Sequence, residues 1–124
     1  LSQYKHLCSH EWPLEVYQSA ALLHDVLEDC PGYTDQILLD RLEVGSKSAW
    51  AEVVVHAVNC LTKDPHASYL TNVLKAASNP VSRVVKIADI HHNSLDLHPV
   101  KDKNRLEKYK LATYILKNYN EQQD

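Results

Sequence analysis

Glycine is nearly missing from this chain: only Gly32 and Gly45 occur in 124 residues. That leaves few of the positive-φ turn positions on which hairpins depend, and no strand pattern stands out anywhere. No apolar run approaches the ~18 residues needed to span a membrane, and no signal-peptide pattern opens the chain. Basic charge is not in excess, with 13 Lys and Arg against 16 Asp and Glu and a net charge of −3, so a nucleic-acid footprint is not expected. Cysteine is limited to Cys8, Cys30 and Cys60. An odd, widely spaced set argues against a disulfide framework and for reduced thiols, hence a cytoplasmic protein. Methionine is absent altogether. Leu1, Tyr4, Leu7 and Cys8 read as the last turns of a helix entered upstream, so part of that first helix is expected to lie outside this sequence.

What is present is ordinary for a globular protein: 44% of residues are hydrophobic and 23% charged. A chain of this length forms one domain and buries roughly two-thirds of its unfolded surface. The apolar spacing is helical almost throughout. After a connection at Ser9 to Trp12, Pro13 suits the first turn of a helix running to about Asp29, stopped by Cys30-Pro31-Gly32. Thr34 is a good N-cap for a short helix through Leu42, which Gly45-Ser46 breaks. Ala49 to Leu61 is apolar on one broad side, through Val53, Val54, Ala57, Val58 and Leu61. Asp64-Pro65 interrupts, and Ser68 to Ala77 forms another short helix. Asn79-Pro80 starts the next, Val81 to Asn93, and a polar connection containing Pro99 leads to an amphipathic helix from Asn104 to Tyr119. The expected fold class is all-α.

The most informative stretch is Ala20-Ala21-Leu22-Leu23-His24-Asp25-Val26-Leu27-Glu28-Asp29. A helix this apolar at its start should be heading into the core, and buried carboxylates need a partner. His24 and Glu28 share one helical face, and Asp25 and Asp29 share the neighbouring face about 100° away. A divalent metal is the simplest partner for one imidazole and three acids in one pocket. A second apolar helix carries its own isolated acid, Asp89, within Val84-Val85-Lys86-Ile87-Ala88-Asp89-Ile90. Lys86, Asp89 and Asn93 fall near one face of it. A plainer reading of Lys86 and Asp89 is a surface ion pair of at most ~0.5 kcal/mol.

His24-Asp25 with Asp89 downstream resembles the HD superfamily of metal-dependent phosphohydrolases. Within that superfamily, Ala21 to Asp29 is similar to the ALLHDxxED motif of RelA/SpoT-like hydrolase domains. Leu61-Thr62-Lys63 resembles their LTK element, Val85 to Asn93 their VKLADRLHN element, and Arg105-Leu106-Glu107-Lys108-Tyr109 the start of the last helix in small stand-alone members. The motifs keep the family's order. The resemblance implies a helical HD bundle of about six to seven helices in which His24, Asp25 and Asp89 bind a divalent cation. Manganese is the expected metal, with iron, zinc, magnesium or nickel as options. Such mixed imidazole and carboxylate ligands suit a borderline-to-hard ion. It further implies that Glu28 and Asp29 orient the attacking water and handle its proton, and that Thr62, Lys63, Lys86, Asn93 and Tyr109 contact substrate.

Each substrate residue has a plainer alternative. Lys86 suits a snorkelling lysine, Thr62 and Lys63 a helix end finished by a cation, and Tyr109 a core tyrosine. His91 and His92 are extra to the motif, and His56, His66 and His98 take no role. Two features depart from the family's pattern. HD proteins draw a further histidine ligand from the preceding helix. Here only His6 and His10 precede His24, at or beyond the end of the first visible helix, so that ligand is expected upstream of Leu1, with His6 the fallback. Ile90 stands where the RelA/SpoT motif has Arg. The resulting expectation is a nucleotide phosphohydrolase, with guanosine 3′,5′-bis(diphosphate) 3′-pyrophosphohydrolase the best single choice. The alternatives are an HD hydrolase of another nucleotide phosphate and a catalytically silent HD module that binds nucleotide or a protein partner.

Overall fold

The computed structural model describes residues 12–29 and 48–119 of the chain. They form five helices and no strand: α1 (Leu14–Asp29), α2 (Ser48–Leu61), α3 (Tyr69–Ala77), α4 (Pro80–Ser94) and α5 (Lys103–Asn118). These match the spans read from apolar spacing to within a residue or two. The expected helices ending near Cys8 and covering Thr34 to Leu42 lie outside the described residues. No described helix is long and apolar enough to cross a membrane.

Pro13 opens α1 as its ring geometry dictates, accepting the first helical bond from Val16 N at 3.0 Å. Glu15 adds a carboxylate to the positive end of the helix dipole. Val16, Tyr17 and Ala20 are buried, but Leu22 is 78% exposed, so the run Ala20 to Leu23 does not enter the core as a block. Helical periodicity explains this, because Leu22 is turned about 200° from Ala20. On α2 the buried stripe is Ala51, Val54, Val55, Ala57, Val58 and Leu61, with Val53 only partly covered.

Helix α4 is the centre of the fold. It packs against each of the other four helices, and Val81, Val84, Val85, Ile87 and Ile90 are buried along it. Its start is strongly specified. The Asn79 carboxamide oxygen accepts from Val81 N and Ser82 N at 2.9 Å each, and Pro80 occupies the first turn, where no N–H is needed. Ser82 is fully buried, and its hydroxyl donates to the Ala76 carbonyl at the end of α3. Arg83 Nε donates to the Ala77 carbonyl at 2.9 Å, so two side chains of α4 finish the carbonyls of α3. Because Asn79 is itself buried, Asn79→Ala leaves two enclosed N–H groups without an acceptor. It is expected to cost about 1–2 kcal/mol, read as a lowered urea midpoint at unchanged slope.

The link from α2 to α3 is clamped rather than loose. Asp64 N donates to Asn72 Oδ1 at 2.8 Å, and Asn72 Nδ2 donates back to the Asp64 carbonyl at 3.2 Å. Ser68 caps α3 by accepting from Thr71 N. The turn before α5 is built by His98, whose Nδ1 accepts from Val100 N and Lys101 N at 3.1 Å each. Asp102 Oδ2 accepts from His98 N at 2.8 Å, so this carboxylate is spent on the turn and makes no side-chain bond to the helix it precedes.

Candidate metal and phosphate site

Helix α1 packs against α4, which brings the His24-bearing helix alongside the one that carries Asp89. His24 is half-buried, one turn beyond the buried Ala20. Its Nδ1 lies 2.7 Å from the Ala21 carbonyl oxygen. A carbonyl only accepts, so Nδ1 is the donor in this contact. Histidines that ligate metals commonly have one ring nitrogen held in this way by a backbone carbonyl. Residues 25–29 continue α1, but the side chains of Asp25, Glu28 and Asp29 lie outside the described residues, as do His6 and His10.

Asp89 is one-third exposed, and its Oδ2 lies 3.6 Å from Lys86 Nζ. This is the ion pair anticipated as the plainer reading. At that separation it is a charge contact rather than a hydrogen bond, and it leaves the carboxylate able to take a further partner. Asn93 is exposed near the C-terminal end of α4, as are His91 and His92.

At the start of α3 stands a group that the sequence does not single out. Tyr69, the first residue of α3, holds its hydroxyl in the interior without a hydrogen-bond partner. An enclosed donor left unpaired typically costs about 1–3 kcal/mol. Burial pushes the phenol up to about 12, with smaller contributions from Tyr109 and from the negative charge of Asp89. Tyr109 is half-buried with its ring centroid 6.4 Å from that of Tyr69, and Lys108 Nζ lies 4.2 Å from the Tyr69 centroid and 5.8 Å from that of Tyr109. Both contacts are within cation–π range. Nothing in the sequence singles Tyr69 out, and only the folded arrangement exposes its unmet hydroxyl.

Two concavities flank this cluster. Tyr109 lines a groove of about 460 Å³ between α4 and α5 with Ile87, Ile90 and Leu106 on its walls. Lys101, Arg105 and Lys108 surround a more polar one of about 330 Å³, with Asp102 as its carboxylate. Three cations against one acid make it electrostatically suited to a phosphorylated ligand. Thr62 and Lys63 follow α2. The Thr62 hydroxyl donates to the Val58 carbonyl at 2.8 Å, and its own carbonyl accepts from Lys75 Nζ at 3.0 Å, so Thr62 is engaged in finishing its helix. Lys63 is exposed.

Of the expected ligands, the described residues include one imidazole, His24, and one carboxylate, Asp89, on helices that pack against each other, a donor chemistry that suits a divalent cation. Among the described residues alone, no group of three or more His, Cys, Asp or Glu forms a metal cluster. No family model, curated protein or solved structure matches the chain.

Proposed function

We propose that this chain is a metal-dependent phosphohydrolase of the HD type, its helices forming an HD bundle of about six to seven helices. Its substrate is a nucleotide, with guanosine 3′,5′-bis(diphosphate) the favoured one, losing its 3′-pyrophosphate to water. The supporting observation is the packing of α1 on α4, which sets the His24-bearing helix against the one that carries Asp89, with His24 Nδ1 held 2.7 Å from the Ala21 carbonyl oxygen. In this reading His24, Asp25 and Asp89 hold the cation, manganese by preference. A bound divalent cation supplies acidified water at neutral pH and polarises a phosphoryl oxygen.

The chain's own residues do the rest. Glu28 and Asp29 orient the water and accept its proton. Lys86 and Asn93 steady the phosphate beside Asp89, Tyr109 contacts the nucleotide, and Thr62 and Lys63 bound the site from the end of α2. Glu28→Ala is expected to keep metal content unchanged while turnover falls roughly 100- to 10,000-fold, the usual contribution of a positioned base. Elemental analysis alongside a kinetic assay of released phosphate or pyrophosphate reads both.

A second reading, a nucleotide-binding HD module without turnover, is favoured by the Lys86–Asp89 contact, which would compete with a cation for the same carboxylate. The reading is tested by elemental analysis of purified protein and a phosphate-release screen over nucleotides. Metal with turnover supports the hydrolase. Nucleotide binding without metal or turnover supports the silent module.

A further inference from the structure

The groove between α4 and α5 is built from one edge of each helix. Ile87, Ile90, His91 and Ser94 follow the i, i+3, i+4, i+7 spacing of a single helical face, and Leu106, Lys110, Thr113 and Lys117 do the same along α5 at i, i+4, i+7, i+11. Arg83, near the start of α4, stacks on Tyr119, just past the end of α5, with 5.0 Å from the guanidinium carbon to the ring centroid, so the two helices run antiparallel. The groove is therefore drawn out along them for about 16 Å, the rise from Leu106 to Lys117. Its cavity of about 460 Å³ falls within the range of small-molecule sites. The floor is apolar: Ile87 and Ile90 are buried, and Leu106 and Tyr109 are half-buried. The edge carries the exposed cations Lys110 and Lys117, with His91 across from them on α4. Among the described residues, no Asp, Glu, Asn or Gln lines the groove. A negative head group therefore meets no repulsion there, and no carboxylate or carboxamide is present to read the edge of a nucleobase. Ser94 Oγ is engaged at home, donating to the His91 carbonyl at 2.8 Å. The charge bias extends along the helix, since α5 carries Lys103, Arg105, Lys108, Lys110 and Lys117 against Glu107 alone, in a chain whose net charge is −3.

We propose that this groove binds a small amphipathic anion, a free acyl carboxylate whose unbranched tail lies along Ile87, Ile90, Leu106 and Tyr109 and whose head is met by Lys110 and Lys117. Covering the apolar floor drives association, and the lysine edge selects the sign of the head group. A linear tail suits a groove extended along two helices. The inference stands apart from the metal reading: Lys86, Asp89 and Asn93 do not line the groove, and Tyr109 is the one residue the two have in common.

The test is an NMR titration of the full chain with decanoate below its micelle concentration, with decyltrimethylammonium and guanosine 5′-monophosphate titrated separately for comparison. Decanoate is expected to shift the Ile87, Ile90 and Leu106 resonances saturably, and the cation with the same tail to bind roughly tenfold more weakly. The double variant Lys110→Glu, Lys117→Glu should lose roughly tenfold in decanoate affinity and reverse the preference between the two tails. Both lysines are exposed, so its melting temperature should match wild type. Should that variant not fold, the comparison of the two tails on wild type still decides the matter. Absence of saturable shifts at the groove overturns the proposal. Equal affinity for both tails, or decanoate affinity unchanged in the folded double variant, reduces the groove to apolar surface and overturns it as well. Shifts there from guanosine 5′-monophosphate but not from decanoate give the groove to the nucleotide and overturn it too.

Discussion

His24→Ala and Asp89→Ala are each expected to abolish bound metal. The two residues sit on α1 and α4, helices that pack against each other but are far apart in sequence. A loss from either one means that both contribute to one ion. Changing a residue that only orients a ligand costs roughly 10- to 100-fold in affinity, so removing the ligand itself should cost more than about 100-fold. The folded state should tolerate both changes, because His24 is half-buried and Asp89 is one-third exposed. Elemental analysis after exhaustive dialysis reads the effect, and unchanged helical circular dichroism separates it from unfolding. Metal retained in both variants would refute the assignment.

The largest effect on stability is expected from Leu116→Ala. Only Ala112 and Leu116 are buried on α5, and Leu116 is fully enclosed in the core. Helix α5 therefore depends for its docking on very few side chains, while Tyr109 and Lys108, which meet Tyr69, ride on it. Truncating a buried leucine costs about 2–5 kcal/mol, a sizeable share of a total that is typically about 5–15 kcal/mol. Urea denaturation should show a matching fall in midpoint. The exposed Glu107→Ala on the same helix should stay within about 0.5 kcal/mol of wild type.

The helices were legible in the sequence because their signals are local. Pro13, Ser68 and the Asn79-Pro80 pair mark starts by side-chain and ring geometry that acts over three or four residues, and all three operate as read. The start of α5 was read one residue late, at Asn104 instead of Lys103. Asp102 spends its carboxylate on His98 N and so leaves no cap of the usual kind. Features that depend on distant partners were not legible. Ser82 gave no sign that it would be fully buried, because its partner, the Ala76 carbonyl, belongs to another helix. Tyr69 is the sharper case. Its unmet hydroxyl arises from packing against residues such as Tyr109, forty residues away along the chain. Leu22 shows the reverse error, since a run of apolar residues suggested uniform burial where periodicity turns one of them to solvent.

The account's central claim is that α1 and α4 present their polar side chains to a single cation. The most direct measurement is a crystal structure of the protein soaked in Mn²⁺, with anomalous scattering used to locate the ion. The account predicts one strong peak within coordination distance of both His24 Nε2 and an Asp89 carboxylate oxygen, with Asp89 drawn away from Lys86. A map with no peak there, and with Asp89 still paired to Lys86 at saturating Mn²⁺, would contradict it.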